Sequence, residues 1–557
     1  MLWAQIMNFV SSSISFHKIL KRYTKSKEEI EYCKKSKTDK ITCLVGPGML
    51  SRHGVFYKTL QSRANKDKLI ILSFVDISFV EMAINLYDFS LRSLNIRNYI
   101  FVCTDEKAYV ALERRGIYSF LYPHNLDKEP STFGTRQFML KTRIKIKITT
   151  AAVMLGFRVL LTDVDVVFVR NPIAHLPADI DLAIQDDMIK VNIIHYMVAN
   201  DLIDQNFGAL GQDFGKPEFW DILNTGFMVV SPTYGGVEMM QRTLSLVMDI
   251  LVIDQPALNV VVKDMLYKKS LTMVKLSRNK FPCGKAYFEN RELLYPEDSK
   301  HRNINAQTVI VHNNHYHTKS GKIHRFKENG LWSYDVNKYY TNKKSLYIMY
   351  KQPLDSASKN LKQQKYSLMT ALTLGHLLGR IVILPKFNCH GCKNESCEQR
   401  KLKQSPDHCT FNAHFYLEAF NKYFKNKYRE SVFLNNTKVP DMIKKSISPQ
   451  IHIVDNQSER YNKDLTAFKN DWSNITVHVK NAKKVLSSEV MNLFGKGRLS
   501  EYSVLNFHSL NFHIVYKNSS WWNTVSSAFL TCDYNQNYYK TVKSVKLQNL
   551  YRKSQKA

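Results

Sequence analysis

A chain of 557 residues with 44% hydrophobic and 12% aromatic content can bury real cores in two or more domains, which excludes a disordered or fibrous protein. Its formal net charge of +31 admits nucleic acid, an anionic membrane or anionic small substrates as partners. The lysines are spread along the chain and no zinc-finger, RRM or basic-zipper pattern occurs, so nucleic acid is set aside and the surplus is read as a solvated basic surface.

Residues 1–20 are apolar in places but carry a serine run and His17, too short and too polar for a clear membrane span. The basic cluster Lys18, Lys21 and Arg22 comes after the stretch, which does not favour a cytoplasmic N-terminus. A poor signal segment and an incomplete N-terminus both fit, and membrane association stays open. Residues 1–65 are expected to form a lead and stem, Lys-rich from residue 21, with Cys33, Cys43 and a Val-Gly-Pro-Gly turn at 45–48.

The first strong strand is LIILSF at 69–74, succeeded by a helical pattern through Met82, Leu86, Phe89 and Leu94. A second strand, YIFVC at 99–103, leads to Asp105, a short helix and the strand-like run 117–120. Strand–helix–strand at this spacing implies a parallel, doubly wound sheet with a ligand at the carboxyl ends of its strands. Asp105 stands where it would meet a ribose or base, or where it would simply cap a helix. The segment 138–156 reads as a helix with Ile144, Ile148, Ala152 and Leu155 on one face. Lys141, Arg143, Lys145 and Lys147 take the remaining surface, expected to be solvated, with one of them in reach of a diphosphate. Gly156 ends the helix.

Arg158–Pro172, RVLLTDVDVVFVRNP, is the stretch around which the chain is organised. If the chain is extended here, Asp163 and Asp165 point to one side. Two ionised groups at the end of a buried strand repel unless a cation sits between them, and a hard divalent ion such as Mg²⁺ or Mn²⁺ is the usual answer. Three readings compete: a solvated turn, a phosphatase-type aspartate nucleophile, and the metal-holding Asp-x-Asp of a nucleotide-sugar transferase. Two strand–helix units precede Asp163 and no downstream Gly-Asp-x-x-x-Asp occurs, so the phosphatase reading weakens.

A short strand at 181–187 (DLAIQDD) ends in the acidic pair Asp186 and Asp187, and 223–230 (LNTGFMVV) carries Asn224 and Gly226. At 254–259 (DQPALN) a helix starts, with Asp254 as its cap and Pro256 early in it. Asp186, Asp187, Asp254 and Gln255 are candidates for holding donor or acceptor hydroxyls, and equally for capped turns. The strand TVIV at 308–311 delivers His312, with His315, His317 and His324 nearby. His312 is either a nitrogen ligand beside the two carboxylates or a hydrogen-bonded histidine.

Beyond a linker at 336–350, residues 351–557 read as a smaller accessory α/β domain for acceptor binding or stability. Its pieces are an amphipathic helix at 363–378, Arg380, a strand at 381–384, strand-rich residues 500–516 and the pair Trp521-Trp522. Arg380 closes a helix–strand turn or binds an anion. Sequons occur at Asn394, Asn435, Asn456, Asn474 and Asn518, as in a secretory-pathway protein. Cys389, Cys392, Cys397 and Cys409, beside His390 and His408, suit disulfides or a zinc site, and the sequons favour disulfides. The total of nine cysteines leaves a thiol over.

These stretches, in this order, resemble the nucleotide-diphospho-sugar transferase domain of glycosyltransferase family 77 across about residues 66–335. The matching residues are GFRVLLTDVDVVF from Gly156, Asn224-Thr-Gly-Phe, Asp254-Gln-Pro-Ala-Leu-Asn, and His312-Asn-Asn with the later Gly-Leu-Trp; Phe168 stands where the family often has Trp. The resemblance implies a GT-A fold, Rossmann-like for the nucleotide and mixed for the acceptor. It implies Asp163, Asp165 and His312 as ligands of Mn²⁺ or Mg²⁺, and Lys322, or Lys319, on the diphosphate. The implied activity is retaining transfer from a UDP-sugar donor to a glycan or glycoprotein acceptor in the Golgi or secretory lumen. Residues 363–386 resemble the C-terminal region of plant extensin arabinosyltransferases. The alternative is a catalytically silent glycan-binding protein on the same fold.

Overall fold

The computed structural model describes residues 39–122, 136–192, 219–250, 253–289, 307–315, 318–352, 361–388, 411–415, 417–455, 474–496 and 498–528. They fall into two compact units, Met1–His317 and Thr318–Ala557. The four-cysteine cluster with His390 and His408, the sequons at Asn394 and Asn456, His317 and the N-terminal apolar stretch lie outside the described residues.

In the first unit the strands are β1 (Leu69–Val75), β2 (Tyr99–Cys103), β3 (Ser119–Leu121), β4 (Arg158–Thr162), β5 (Val166–Phe168), β6 (Leu182–Asn192), β7 (Phe219–Val230), β8 (Met273–Lys275) and β9 (Ile310–His312). Seven of them form a sheet in the order β3-β2-β1-β4-β7-β6-β8. The pairs among β1, β2, β3 and β4 are parallel, as the strand–helix alternation implies. β7 then inserts antiparallel to both β4 and β6, so the sheet is mixed. β1, β2 and β4 are apolar runs buried on both faces, which is what a sheet covered on two sides requires.

The helix Arg136–Met154 departs from expectation. Its apolar face is buried, but Arg143, Lys145 and Lys147 are also only 5%, 6% and 9% exposed. The helix packs against β4 on one side and the helices Tyr234–Ile250 and Asp254–Tyr267 on others, so no solvated face is left for them. Lys141 pairs with Asp76 at 2.6 Å.

The second unit holds β10 (Tyr347–Tyr350), β11 (Ile381–Ile383), β12 (Tyr428–Arg429), β13 (Ile447–Asp455), β14 (Asn474–Val479), β15 (Lys484–Leu486), β16 (Val504–Phe507) and β17 (His513–Val515). Six of these make an all-parallel sheet ordered β12-β11-β10-β16-β13-β14. The helix Leu361–Leu378 and β11 form where the sequence places them. Arg380 has the structural role: its guanidinium donates to the carbonyls of Tyr502 at 2.8 Å and Ser500 at 2.9 Å. The indoles of Trp521 and Trp522 pack against the core and donate to Thr373 Oγ1 and the Tyr516 carbonyl. Among the described residues no helix is long and apolar enough to cross a membrane.

Candidate functional site

β4 ends at Thr162, and the acidic motif continues as a turn rather than an extended strand: the Val166 N–H donates to the Asp163 carbonyl at 3.3 Å. Strict alternation therefore does not aim the two carboxylates. They converge because the turn feeds β5, and β5 pairs antiparallel with β9, setting Val166 opposite His312. The Asn313 N–H donating to the Asp165 carbonyl at 2.8 Å fixes the register. One ligand atom each from Asp163, Asp165 and His312 then lie within 4.8 Å of one another.

The imidazole is oriented from behind. Gln185 Nε2 donates to the Phe281 carbonyl at 3.0 Å, which turns its Oε1 toward His312 Nδ1 at 2.6 Å. This bond network places a proton on Nδ1 and turns Nε2 toward Asp165 Oδ1 at 3.5 Å. Nε2 is then the ring atom that would ligate a divalent cation beside the two carboxylates, with Nδ1 held by its outer partner. Two carboxylates and an oriented imidazole are a donor set that suits Mn²⁺. We expect Gln185→Leu to lower Mn²⁺ affinity by about 10- to 100-fold with the fold intact, read by titration calorimetry.

Gly226 lies against this cluster, and its carbonyl accepts the Asp163 N–H at 2.8 Å. Asn224 bridges inward: Oδ1 accepts from the Gly226 N–H at 2.7 Å and Nδ2 donates to Asp187 Oδ1 at 2.8 Å. Asp187 is buried and fully engaged. It also accepts from Asn314 Nδ2 at 2.6 Å and Gln255 Nε2 at 3.2 Å, and forms an ion pair with His315 Nε2 at 3.0 Å. Burial alone would raise the Asp187 carboxyl, but His315 and Asn224 outweigh it and hold it below its usual range.

Burial would likewise depress His315, yet its bonds to Asp187 and Cys283 push it up to about 10. A histidine raised from 6.5 to about 10 adds stability that is complete below pH 6.5 and lost as pH rises through 10. His315→Gln should therefore cost about 2 kcal/mol at pH 6 and little at pH 11, measured by urea unfolding at both values.

Asp254 is the first residue of its helix, not its cap, which is Ile253. Its Oδ2 accepts from Thr225 Oγ1 at 2.9 Å and meets Lys145 Nζ at 3.0 Å. Lys145 Nζ also meets Asp163 Oδ1 at 2.8 Å, so one buried ammonium ties the metal-facing aspartate to the helix start. Burial alone would lower this lysine, but Asp163 and Asp254 together hold it above its ordinary range.

The structure thus gathers Asp163, Asp165, His312, Asn224, Gly226, Asp187, Asp254 and Gln255 into one connected network. Asp105 is outside it: both its oxygens accept backbone N–H groups, from Ala108 at 2.8 Å and Ile77 at 2.9 Å, so it has the helix-cap role. Asp186 pairs with Arg278 at 2.6 Å. Lys322 lies on the helix Lys319–Glu328 of the second unit. Sequence reasoning passed over Gln185 and Asn314, and assigned Lys145 and His315 no part of their own in the site. Gln185 had a usable signal, as an amide set directly after the apolar run Leu182–Ile184; His315, held at a φ of +59°, had none.

Residues 94–326 match the family model described as nucleotide-diphospho-sugar transferase. The Arabidopsis thaliana arabinosyltransferase RRA2 is 24% identical over 47% of this chain and 60% of its own length. The UDP-D-xylose:L-fucose alpha-1,3-D-xylosyltransferase 1 of the same plant is 26% identical over 39% of this chain and 57% of its own. The chain spans about three fifths of the length of these curated relatives. Among solved structures, the galactosyltransferase LgtC with donor and acceptor sugar analogues is similar at a TM-score of 0.27 and 13% identity, over 48% of this chain and 98% of that one. The first unit is a mixed α/β domain with a parallel half, and this sheet together with the family match is what the expected GT-A fold calls for.

Proposed function

We propose that this chain, which carries a nucleotide-diphospho-sugar transferase domain, is a metal-dependent, retaining glycosyltransferase that moves a pentose from a UDP-sugar to a glycan or glycoprotein acceptor. The observation that carries the reading is the convergence of Asp163, Asp165 and His312, with the imidazole Nε2 turned toward the acids by Gln185. Those three side chains would hold Mn²⁺ or Mg²⁺. When bound, such a cation neutralises the charge that builds on the departing β-phosphate.

The chain's own residues do the rest. Lys145 fixes the Asp163 carboxylate and keeps its charge compensated. Asp187 orients the amides of Asn224 and Gln255, and Gln255 offers its carbonyl oxygen to a sugar hydroxyl. Asp187 and Asp254 both act as acceptors in bonds already made within the site, and retention of configuration is what the resemblance to glycosyltransferase family 77 implies. The pentose assignment rests on the relatives' names, arabinosyl- and xylosyltransferase.

A secretory lumen is the compartment we infer, supported by the sequons. Asn435 and Asn474 are exposed and suit a glycan. Asn518 is engaged in a turn, donating to Tyr516 Oη at 3.3 Å and accepting from the Trp521 N–H at 3.0 Å.

The test is donor hydrolysis with Mn²⁺ over UDP-arabinose, UDP-xylose, UDP-galactose and UDP-glucose. The wild type should turn over a pentose donor, and Asp165→Ala should lose at least about 100-fold of that rate. Mn²⁺-dependent UDP binding without turnover of any donor would favour the silent glycan-binding alternative. Equal rates in wild type and variant would overturn the metal-dependent reading.

A further inference from the structure

We propose that Asn259 is a positioning residue of the donor site: its side-chain amide ties β7 to the start of the helix Asp254–Tyr267 and thereby sets where Gln255 and Asn224 meet a bound sugar. The proposal rests on the transferase reading and adds to it a residue that acts through others.

Helix residues four apart share a face, so Asn259 lies one turn beyond Gln255 on the same side. Its neighbours Ala257, Leu258, Val260, Val261 and Val262 are buried apolar residues, and Asn259 itself is 0% exposed. An amide in such a setting is costly unless each of its polar groups finds a partner. Asn259 uses its whole capacity. Oδ1 accepts from the Leu223 N–H at 2.8 Å and from Trp220 Nε1 at 2.9 Å. Nδ2 donates to the Leu223 carbonyl at 2.8 Å and to the Gln255 carbonyl at 2.9 Å. Two of these partners can only donate and two can only accept, so the amide has one orientation.

The sheet explains why such a hold is needed. β4 pairs with β7 from Val230 to Phe227 and stops there. On the other side of β7, the pairing with β6 shifts register between Ile184 and Gln185 and again between Asp186 and Lys190. Gln185, Asp187, Asn224 and Gly226 all belong to this irregular stretch, as where a ladder is broken to re-aim side chains beside a site. Asn259 holds the backbone there, taking the N–H and the carbonyl of Leu223 together as a neighbouring strand would. The Thr225 hydroxyl makes a second tie, to Asp254 Oδ2 at 2.9 Å.

Asn224 is fixed between the two tied residues of β7, and Gln255 lies between the two helix residues that hold them. From these positions Asn224 Nδ2 and Gln255 Nε2 reach Asp187 at 2.8 Å and 3.2 Å, and Gln255 presents Oε1 to a sugar hydroxyl. The proposed metal ligands have supports of their own, in the pairing of β5 with β9 and in Gln185. Loss of the Asn259 tie therefore bears on the sugar and not on the nucleoside diphosphate.

The test compares wild type, Asn259→Asp and Asn259→Ala in Mn²⁺, by hydrolysis of UDP-xylose and UDP-arabinose and by calorimetric titration with UDP. Asn259→Asp keeps the shape and the two accepted bonds and loses the two donated ones, the tie to Gln255 among them. Asn259→Ala loses all four and leaves room for water. Both should raise the KM for the UDP-pentose that wild type turns over by about tenfold or more, the worth of one hydrogen bond, with the Kd of UDP unchanged. General damage to the fold would weaken UDP and UDP-sugar alike. Combined with Gln255→Ala, Asn259→Asp should add no further loss, because the two act through one contact. Should Asn259→Asp not fold, Asn259→Ala carries the same comparison. A wild-type KM in the folded variants, equal weakening of UDP and UDP-sugar, additive losses with Gln255→Ala, or loss of the fold in both variants would each overturn the proposal and leave the transferase reading standing. Wild type that turns over no UDP-sugar would instead overturn that reading, and the proposal with it.

Discussion

Gly226→Ala is expected to lose Mn²⁺ binding while the domain stays folded. A Cβ at this position would sit 2.5 Å from His312 Cε1, 2.7 Å from Asp163 Oδ2 and 2.8 Å from Asn224 Oδ1. All three are closer than real Cβ atoms approach, and two belong to the proposed ligands. The glycine is needed for this close approach rather than for an unusual backbone angle. His312 cannot swing away without breaking its bond to Gln185, and Asn224 cannot without releasing Asp187. Overpacking of this kind costs about 1–3 kcal/mol of stability, which a folded domain survives. The ligand geometry does not, and Mn²⁺ affinity should fall by about 100-fold or more. Calorimetry reads the affinity and circular dichroism the fold. Wild-type affinity in Gly226→Ala would show that the metal, if any, is held elsewhere.

Lys145→Met should have the opposite signature, a large loss of stability with metal binding retained. The ammonium lies between Asp163 and Asp254, and both it and Asp254 are buried. Removing it leaves Asp254 charged in a nearly dry setting, with the Thr225 hydroxyl still donating to it. Breaking a buried pair from one side costs about 3–5 kcal/mol, although the partly exposed Asp163 recovers some hydration. The net expectation is a loss of about 3 kcal/mol in the first unit's urea transition. Asp163 keeps its carboxylate and gains freedom to meet a cation, so Mn²⁺ should raise the melting temperature of Lys145→Met more than that of wild type. A variant as stable as wild type would mean that Lys145 is not a structural counter-ion.

Much of this arrangement is legible in the residues alone. The apolar runs of β1, β2 and β4 and the spacing between them require a parallel sheet, and the acidic motif falls at the carboxyl end of its central strand. The family resemblance supplied the late histidine, and the pairing of β5 with β9 is the physical reason that it reaches the acids. Three features do not come out of local pattern. The turn at 163–165 looks extended in sequence because apolar residues flank it on both sides. Lys145 looks solvated because cations at alternate positions usually are; only the packing of two further helices over that face buries it. Asp105 had two plausible duties, and a backbone N–H contributed from residue 77, far away in sequence, decides for the cap. In each case the deciding partner comes from another part of the chain, where periodicity carries no information.

The most direct measurement is an electron paramagnetic resonance titration of Mn²⁺ into wild type, Asp165→Ala and His312→Ala. The free-ion signal should disappear with a single equivalent bound by wild type, and both substitutions should abolish that binding although they lie on different strands' ends. Unchanged binding in His312→Ala, or none in wild type, would contradict the shared cation on which the proposed activity depends.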